Sequence, residues 1–195
     1  MKIANPQGKG LVSLFNEWNA PVLASQCRDF PKLAKDYVLS LFVLSASFKF
    51  KPVQLQRYYL YLKQSELILT LIEPSKSGGR FGIYIGECGL NPDLTWHVEF
   101  SDDDNHAPTI QSFLQRFYAG FESHHQQNKT WHELLPFYEE SLPFYARMYA
   151  NGMAKSIHRD MVQLGLTQAP ASKVLEMKGR LLGFDYLSMR ERLIS

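Results

Sequence analysis

The sequence predicts an α+β fold: an antiparallel β-meander of four or five strands packed with an N-terminal helix and a C-terminal helical region. Residues 47–100 contain short alternating runs separated by tight polar turns. Such turns favour antiparallel pairing, because parallel strands need crossovers of roughly a dozen residues or more. From residue 108 onward the apolar residues follow helical spacing. Strands followed by a run of helices are typical of α+β proteins rather than of alternating βαβ units.

We expect the 195 residues to form a single domain. The predicted segments are an N-terminal arm over 1–28, a helix over 29–46, the sheet over 47–100, helices over 108–165 and a weakly structured C-terminal segment over 166–195. Asp29 is a good N-cap for the first helix, and Pro31 fits its first turn. Thr130 and Glu133 have the spacing of a capping box.

Five runs have the composition of strands: "FKFKPV", "YYLYLK", "ELILTLIE", "GGRFGIYIGEC" and "TWHVEF". In the fourth run, strict alternation places Ile83 and Ile85 on one face and Tyr84 and Gly86 on the other. In the fifth run, Trp96, Val98 and Phe100 face the core, and Thr95, His97 and Glu99 face outward.

Charge, cysteine content and hydropathy argue against a polyanion-binding, a disulfide-rich or a membrane protein. The formal net charge of +2 is too small to imply a polyanionic partner. With Cys27 and Cys88 as the only cysteines, a disulfide framework is not expected, and a reducing, cytoplasmic location is the simplest interpretation. The first ten residues lack the apolar region of a signal peptide, and no apolar stretch has the length of a membrane span. We therefore expect no membrane association.

One set of motifs resembles a known family. The motifs are Tyr58-Tyr59-Leu60-Tyr61, "LTLIEP" and "GECGLNPDLTW", with "NPQGKG" at residues 5–10 and "SLPFYARMYA" at residues 141–150. Together they resemble the uncharacterised bacterial family known as domain of unknown function 2452. Members of that family often carry Glu-Trp two residues beyond the proline that matches Pro74, whereas this chain has "PSKSGG" there. The resemblance implies a shared fold and no particular activity.

Arg57, Tyr59, Tyr61 and Lys63 are the candidate ligand-binding residues. Alternation puts them on one face of their strand, and aromatic side chains flanked by cations are used by proteins that bind single-stranded nucleic acid. The following strand, however, is apolar on both faces, which is typical of a strand covered on both sides. Packing is therefore the alternative interpretation of the tyrosines, and we do not expect a nucleic-acid partner.

His97 is the candidate acid or base, acting with Glu99 or Asp93 in proton transfer; the alternative is an exposed or hydrogen-bonded sheet histidine. The six histidines lack the spacing of a zinc site, and Cys88 is interpreted as structural. We expect no metal and no cofactor.

Since the spacing matches no catalytic motif, the favoured function is a non-enzymatic binding module that contacts a protein partner or forms a homodimer. The alternative is a small enzyme with a pocket between sheet and helices.

Overall fold

The computed structural model describes residues 27–101, 105–126, 128–137 and 139–177. The predicted arm before Cys27 and the C-terminal segment after Met177 lie outside these ranges. The α-helices are α1 (Phe30–Leu44), α2 (Pro74–Ser77), α3 (Ala107–His125) and α4 (Phe144–Gln163). The strands are β1 (Arg57–Lys63), β2 (Glu66–Thr70), β3 (Ile83–Leu90) and β4 (Trp96–Phe100). Two 3₁₀ helices lie at His132–Leu134 and Ala171–Met177. Among the described helices, none has both the length and the apolar character needed to cross a bilayer.

The predicted α+β class is confirmed. Within the described ranges, four strands form one antiparallel sheet in the order β2-β1-β3-β4. The connectivity differs from a simple meander, because β3 pairs with β1 instead of with β2. The run "FKFKPV" is not a strand: only Ser47, just before it, forms a bridge, with Ile68. Pro52 lacks an N–H group and is poorly suited to a strand interior.

The structure contains the helix cap and the capping box at the residues that the sequence predicts for them, and a tight turn between β1 and β2. The Asp29 carboxylate accepts a hydrogen bond from the Lys32 N–H at 2.9 Å and so caps α1. Between β1 and β2, Gln64 and Ser65 both have positive φ, as in the two-residue turns that match the twist of a hairpin. Thr130 and Glu133 form the reciprocal hydrogen bonds of a capping box.

The connection between β2 and β3 crosses β1 on the outer face of the sheet, the face turned away from α1. It contains α2, and it covers Tyr61. The Tyr61 hydroxyl donates to the Ile72 carbonyl at 2.8 Å, and the ring packs on Phe81 with 5.4 Å between centroids. Only 1% of Tyr61 is exposed. The crossover therefore covers one end of the outer face and leaves the other end open.

The hydrophobic core lies between the inner face of the sheet and the helices α1 and α4. Tyr58 and Leu60 point into it from β1, and Trp96 packs edge-on against Tyr58. Near the far end of α1, Phe42 contacts Phe100 of β4, with 5.8 Å between ring centroids. This packing fixes the inner face and turns the alternate side chains of each strand outward.

A serine occupies backbone groups at each outer edge of the sheet. At the β2 edge, Ser47 donates its N–H to the Leu67 carbonyl and accepts from the Leu69 N–H. At the β4 edge, the Ser40 hydroxyl of α1 accepts from the Trp96 N–H at 2.8 Å and donates to the Asp36 carbonyl. Because free strand edges invite pairing with other chains, these contacts reduce the number of backbone groups that an added strand could use.

A buried ion cluster joins α1, α4 and the turn between β3 and β4. The Arg28 guanidinium lies 2.6 Å from Asp160, 2.7 Å from Asp93 and 3.3 Å from Asp36. It also donates to the Ser156 hydroxyl at 3.0 Å. Burial lowers the pKa of Arg28, but the surrounding carboxylates outweigh this and leave it raised. Lys32 on Asp36 and Arg159 on Asp160 complete a formal balance of three cations and three anions.

Replacing Arg28 with methionine leaves the Asp36, Asp93 and Asp160 carboxylates without their common partner. We expect Arg28→Met to lower the free energy of unfolding by about 3–5 kcal/mol, as for other buried pairs broken on one side. Urea denaturation followed by circular dichroism measures this change. The control is Lys32→Ala, which removes an exposed cation from the same cluster and should cost less than about 1 kcal/mol. Equal effects of the two substitutions would contradict a central role for Arg28.

Candidate functional site

The uncovered end of the outer face carries two rows of side chains. Strand pairing places Arg57, Gly89 and His97 in one row. Tyr59, Glu87 and Glu99 form the next row. We call these six residues the open sheet face. A pocket of about 340 Å³ lies over it, lined by Arg57, Glu87, His97 and Glu99 among others.

Gly89 makes room for the His97 imidazole. A Cβ atom on residue 89 would lie 2.5 Å from Cε1 and 2.7 Å from Nε2 of His97, so the ring occupies the space that any other side chain would fill. The ring is held at its other nitrogen, because Nδ1 lies 2.9 Å from Oδ1 of Asn91. His97 is therefore exposed and oriented at the same time.

A chain of hydrogen bonds runs from His97 to the ion cluster. The Asn91 amide nitrogen donates to the Thr95 hydroxyl at 3.0 Å, and this hydroxyl donates to the Asp93 carboxylate at 2.7 Å. The other oxygen of Asp93 lies 2.7 Å from Arg28. Because the Asn91 amide nitrogen is used by Thr95, its oxygen faces His97. The hydrogen of the neutral imidazole is then on Nδ1, and Nε2 is a hydrogen-bond acceptor.

The open sheet face has more negative than positive charge. Glu87 and Glu99 are directly paired across β3 and β4. Like charges at such positions repel each other and destabilise a sheet. Arg57 lies 3.5 Å from Glu87 and is largely exposed, so it compensates only part of this repulsion. Burial, with a contribution from Glu87, raises the pKa of Tyr84 to about 12.

The predicted ligand-binding residues separate into two groups. Arg57 lies on the open sheet face, and Tyr59 is half-buried there. Tyr61 lies under the crossover. Lys63 donates to the Arg80 carbonyl at 3.0 Å, at the end of β1 away from Arg57. The structure therefore does not bring Tyr61 and Lys63 to the surface that holds Arg57.

The three candidate acid–base residues also separate. His97 and Glu99 share the open sheet face, but Asp93 lies in the ion cluster and reaches His97 only through Thr95 and Asn91. Thr95, which was predicted to face outward, is fully buried because these hydrogen bonds hold it inside the turn.

Two further chemistries have no support in the described ranges. No group of three or more His, Cys, Asp or Glu side chains there converges as metal ligands do. Cys88 is buried on the inner face of β3, and burial raises the pKa of its thiol. A thiol of this kind is protonated at neutral pH and is a poor nucleophile.

Sequence reasoning missed Arg28 and Asn91. Arg28 contacts residues 8, 128 and 132 positions away in the chain, and no local pattern signals such contacts. Asn91 had a signal, since it opens the turn "NPDLT" and Asn side chains often bond to groups within a turn.

The hydrogen-bond chain predicts which nitrogen of neutral His97 carries the hydrogen. We expect long-range ¹H–¹⁵N NMR spectra above pH 7.5 to show the Nδ1–H tautomer. Asn91→Ala removes the acceptor, and it should shift the population toward the Nε2–H tautomer that free histidine favours. The matched control, Asn105→Ala, removes an amide elsewhere and should leave the His97 tautomer unchanged. If His97 is mainly the Nε2–H tautomer in the unsubstituted protein, the proposed hydrogen bond from Nδ1 to Asn91 is wrong.

Comparison with known proteins yields no match for this chain. No family model matches it, and neither a curated protein nor a solved structure does. The resemblance to domain of unknown function 2452 stays a prediction from the motif residues. The functional interpretation of the site therefore depends on its geometry and charge.

Proposed function

We propose that this protein is a non-enzymatic interaction module whose open sheet face binds a protein partner through a basic side chain of that partner. The observation that carries the proposal is the direct pairing of Glu87 and Glu99 on an uncovered surface. The repulsion between them is relieved when a cation lies between the carboxylates. Nε2 of His97 adds a third acceptor to the same pocket, so the site is complementary to a guanidinium or ammonium group.

An exposed apolar side chain supports a protein rather than a free cation as the ligand. Leu55 lies at the rim of the pocket, is 103% exposed, and has a φ of 62°. A leucine in left-handed backbone is uncommon and costs conformational energy. Val53, two residues earlier, is 50% exposed. Protein interfaces commonly combine apolar anchors of this kind with charged contacts.

The partner would dock on the face of the sheet rather than extend it. Ser47 and Ser40 occupy hydrogen-bonding groups at the β2 and β4 edges, so an added strand would have to displace them. The partner is a different protein or a second copy of this chain, and light scattering of the purified protein distinguishes the two.

We also infer a cytoplasmic, bacterial protein of the family it resembles, since free Cys27 and Cys88 fit a reducing compartment.

A second candidate function is a small enzyme that uses His97 as general base. The chain from His97 through Asn91 and Thr95 to Asp93 supports it, because it orients the ring and stabilises a charge formed on it. Glu99 is then the neighbouring carboxylate.

The module predicts charge-selective binding on the open sheet face. In a titration with N-acetyl-arginine amide, we expect the backbone NMR signals of Gly89, His97 and Glu99 to shift. The isosteric citrulline derivative, which has no charge, should shift them at least about fivefold less. Glu99→Gln should abolish the difference and raise the free energy of unfolding by about 0.5 kcal/mol, because it removes the repulsion. Glu66→Gln, at the β1–β2 turn, is the matched control and should keep the binding. Equal responses to the two ligands would contradict the proposal.

The enzyme alternative predicts a rate above that of imidazole alone. Hydrolysis of p-nitrophenyl acetate by the protein should exceed the rate with an equal concentration of free imidazole by about tenfold or more, and His97→Gln should remove the excess. A rate equal to that of free imidazole would leave only the module.

A further inference from the structure

Two histidines that the open sheet face does not involve lie against each other on the helical side of the molecule. His132 belongs to the 3₁₀ helix between α3 and α4, and His158 lies on α4. Their ring centroids are 4.5 Å apart, with an angle of 37° between the ring planes. Phe137 packs edge-on against both rings, at 5.6 Å and 6.3 Å. The three rings thus bring this part of the chain into contact with α4.

Neither histidine has a hydrogen-bond partner for Nδ1. Both Nδ1 atoms are buried, and no described residue donates to them or accepts from them. An imidazolium carries hydrogens on both ring nitrogens, so a protonated ring would bury an unsatisfied donor here. Burial lowers the pKa of His158, and the neighbouring His132 lowers it further.

The charged groups around the pair compensate a positive charge on its rings only in part. The Glu133 carboxylate accepts from the N–H and the hydroxyl of Thr130 in the capping box. On α4, Asp160 is bound by Arg28 and Arg159. Lys155, one turn before His158, is itself cationic. The exposed Glu133 carboxylate also interacts electrostatically with His132, and this offsets part of a charge on that ring. Two protonated rings would still repel each other.

The stretch that carries His132, residues 129–137, is tied to the core at other points; we call it the link segment. The Trp131 side chain is fully buried, and its ring packs on Tyr37 of α1 with 5.6 Å between centroids. The backbone N–H of Trp131 donates to the Ala169 carbonyl at 2.9 Å. The Tyr37 hydroxyl lies 3.3 Å from the Leu134 carbonyl. A movement of His132 would therefore also disturb the buried Trp131, its neighbour in the chain.

We propose that the His132–His158 contact is an acid-sensitive latch: the neutral rings hold the link segment on α4, and protonation of both rings releases it. The latch lies apart from the open sheet face and does not depend on the module proposed above. His158 has a lowered pKa in the folded protein, so its contribution to stability is complete above its ordinary pKa, about 6.5. That contribution is lost as the pH falls from there toward the lowered value.

Hydrogen exchange at the Trp131 amide tests the latch. After correction for the intrinsic pH dependence of exchange, lowering the pH from 7.5 to 5.0 should speed exchange of this amide by about tenfold or more. The amides of Leu60 and Tyr61 in β1 should stay protected. His158→Gln should remove most of the pH effect, because it removes the buried ring. His132→Gln should remove the part that comes from repulsion between the rings and keep the part that comes from burial of His158. His106→Gln, an exposed histidine before α3, is the matched control and should keep it.

Two outcomes would overturn the latch. One is a full pH effect in both glutamine variants, which would assign the effect to another group such as His125. That residue contacts Tyr37, and burial lowers its pKa to about 4. The other is parallel acceleration of the β1 amides, which would mean that the whole molecule unfolds in acid. The variants have different side chains at a half-buried site, so their far-UV spectra at pH 7.5 establish first that they fold.

Discussion

The buried ion cluster at Arg28 is the constraint on which the rest of the structure depends. Arg28 is only 6% exposed, and Asp160 is 1% exposed, so neither charge is solvated by bulk water. Each is tolerated only because the partner is in place, and the partners come from α1, α4 and the β3–β4 turn. The cluster therefore sets the relative positions of two helices and a hairpin. A purely apolar contact would allow these elements to slide, whereas the fixed directions of guanidinium hydrogen bonds do not.

A one-residue irregularity in β3 decides which side chains form the open sheet face. Leu60 pairs with Gly86 and Tyr61 with Tyr84, so Ile85 is an extra residue in a β-bulge. Strict alternation from Ile83 and Ile85 would turn Glu87 inward and Cys88 outward. The bulge reverses both, because a shift of one residue moves every later side chain to the other face. Glu87 is therefore paired with Glu99 on the outer face, and the Cys88 side chain packs in the core.

Features that depend on neighbouring residues were predictable from the sequence. The Asp29 cap, the Thr130–Glu133 box and the β1–β2 turn each involve residues within three positions of each other. The strand order was not predictable, since either neighbour of β3 satisfies the same alternation. The covering of Tyr61 follows from that order, because a connection from β2 to β3 must cross β1. Of the candidate site, His97 and Glu99 were found by alternation, while the chain through Asn91 needed the folded turn.

The cluster and the open sheet face are parts of one rigid arrangement. Arg28 forms an ion pair with Asp93, which accepts a hydrogen bond from Thr95. Thr95 accepts from Asn91, and the Asn91 oxygen orients His97 over Gly89. A binding side chain held in this way has little conformational entropy left to lose when a ligand arrives, which favours affinity. Glu87 and Glu99 are directly paired on adjacent strands of the same sheet, so the register keeps the two residues side by side. This pair, with Glu87 half-buried and Glu99 exposed, is the feature that supports the cation-binding role proposed above.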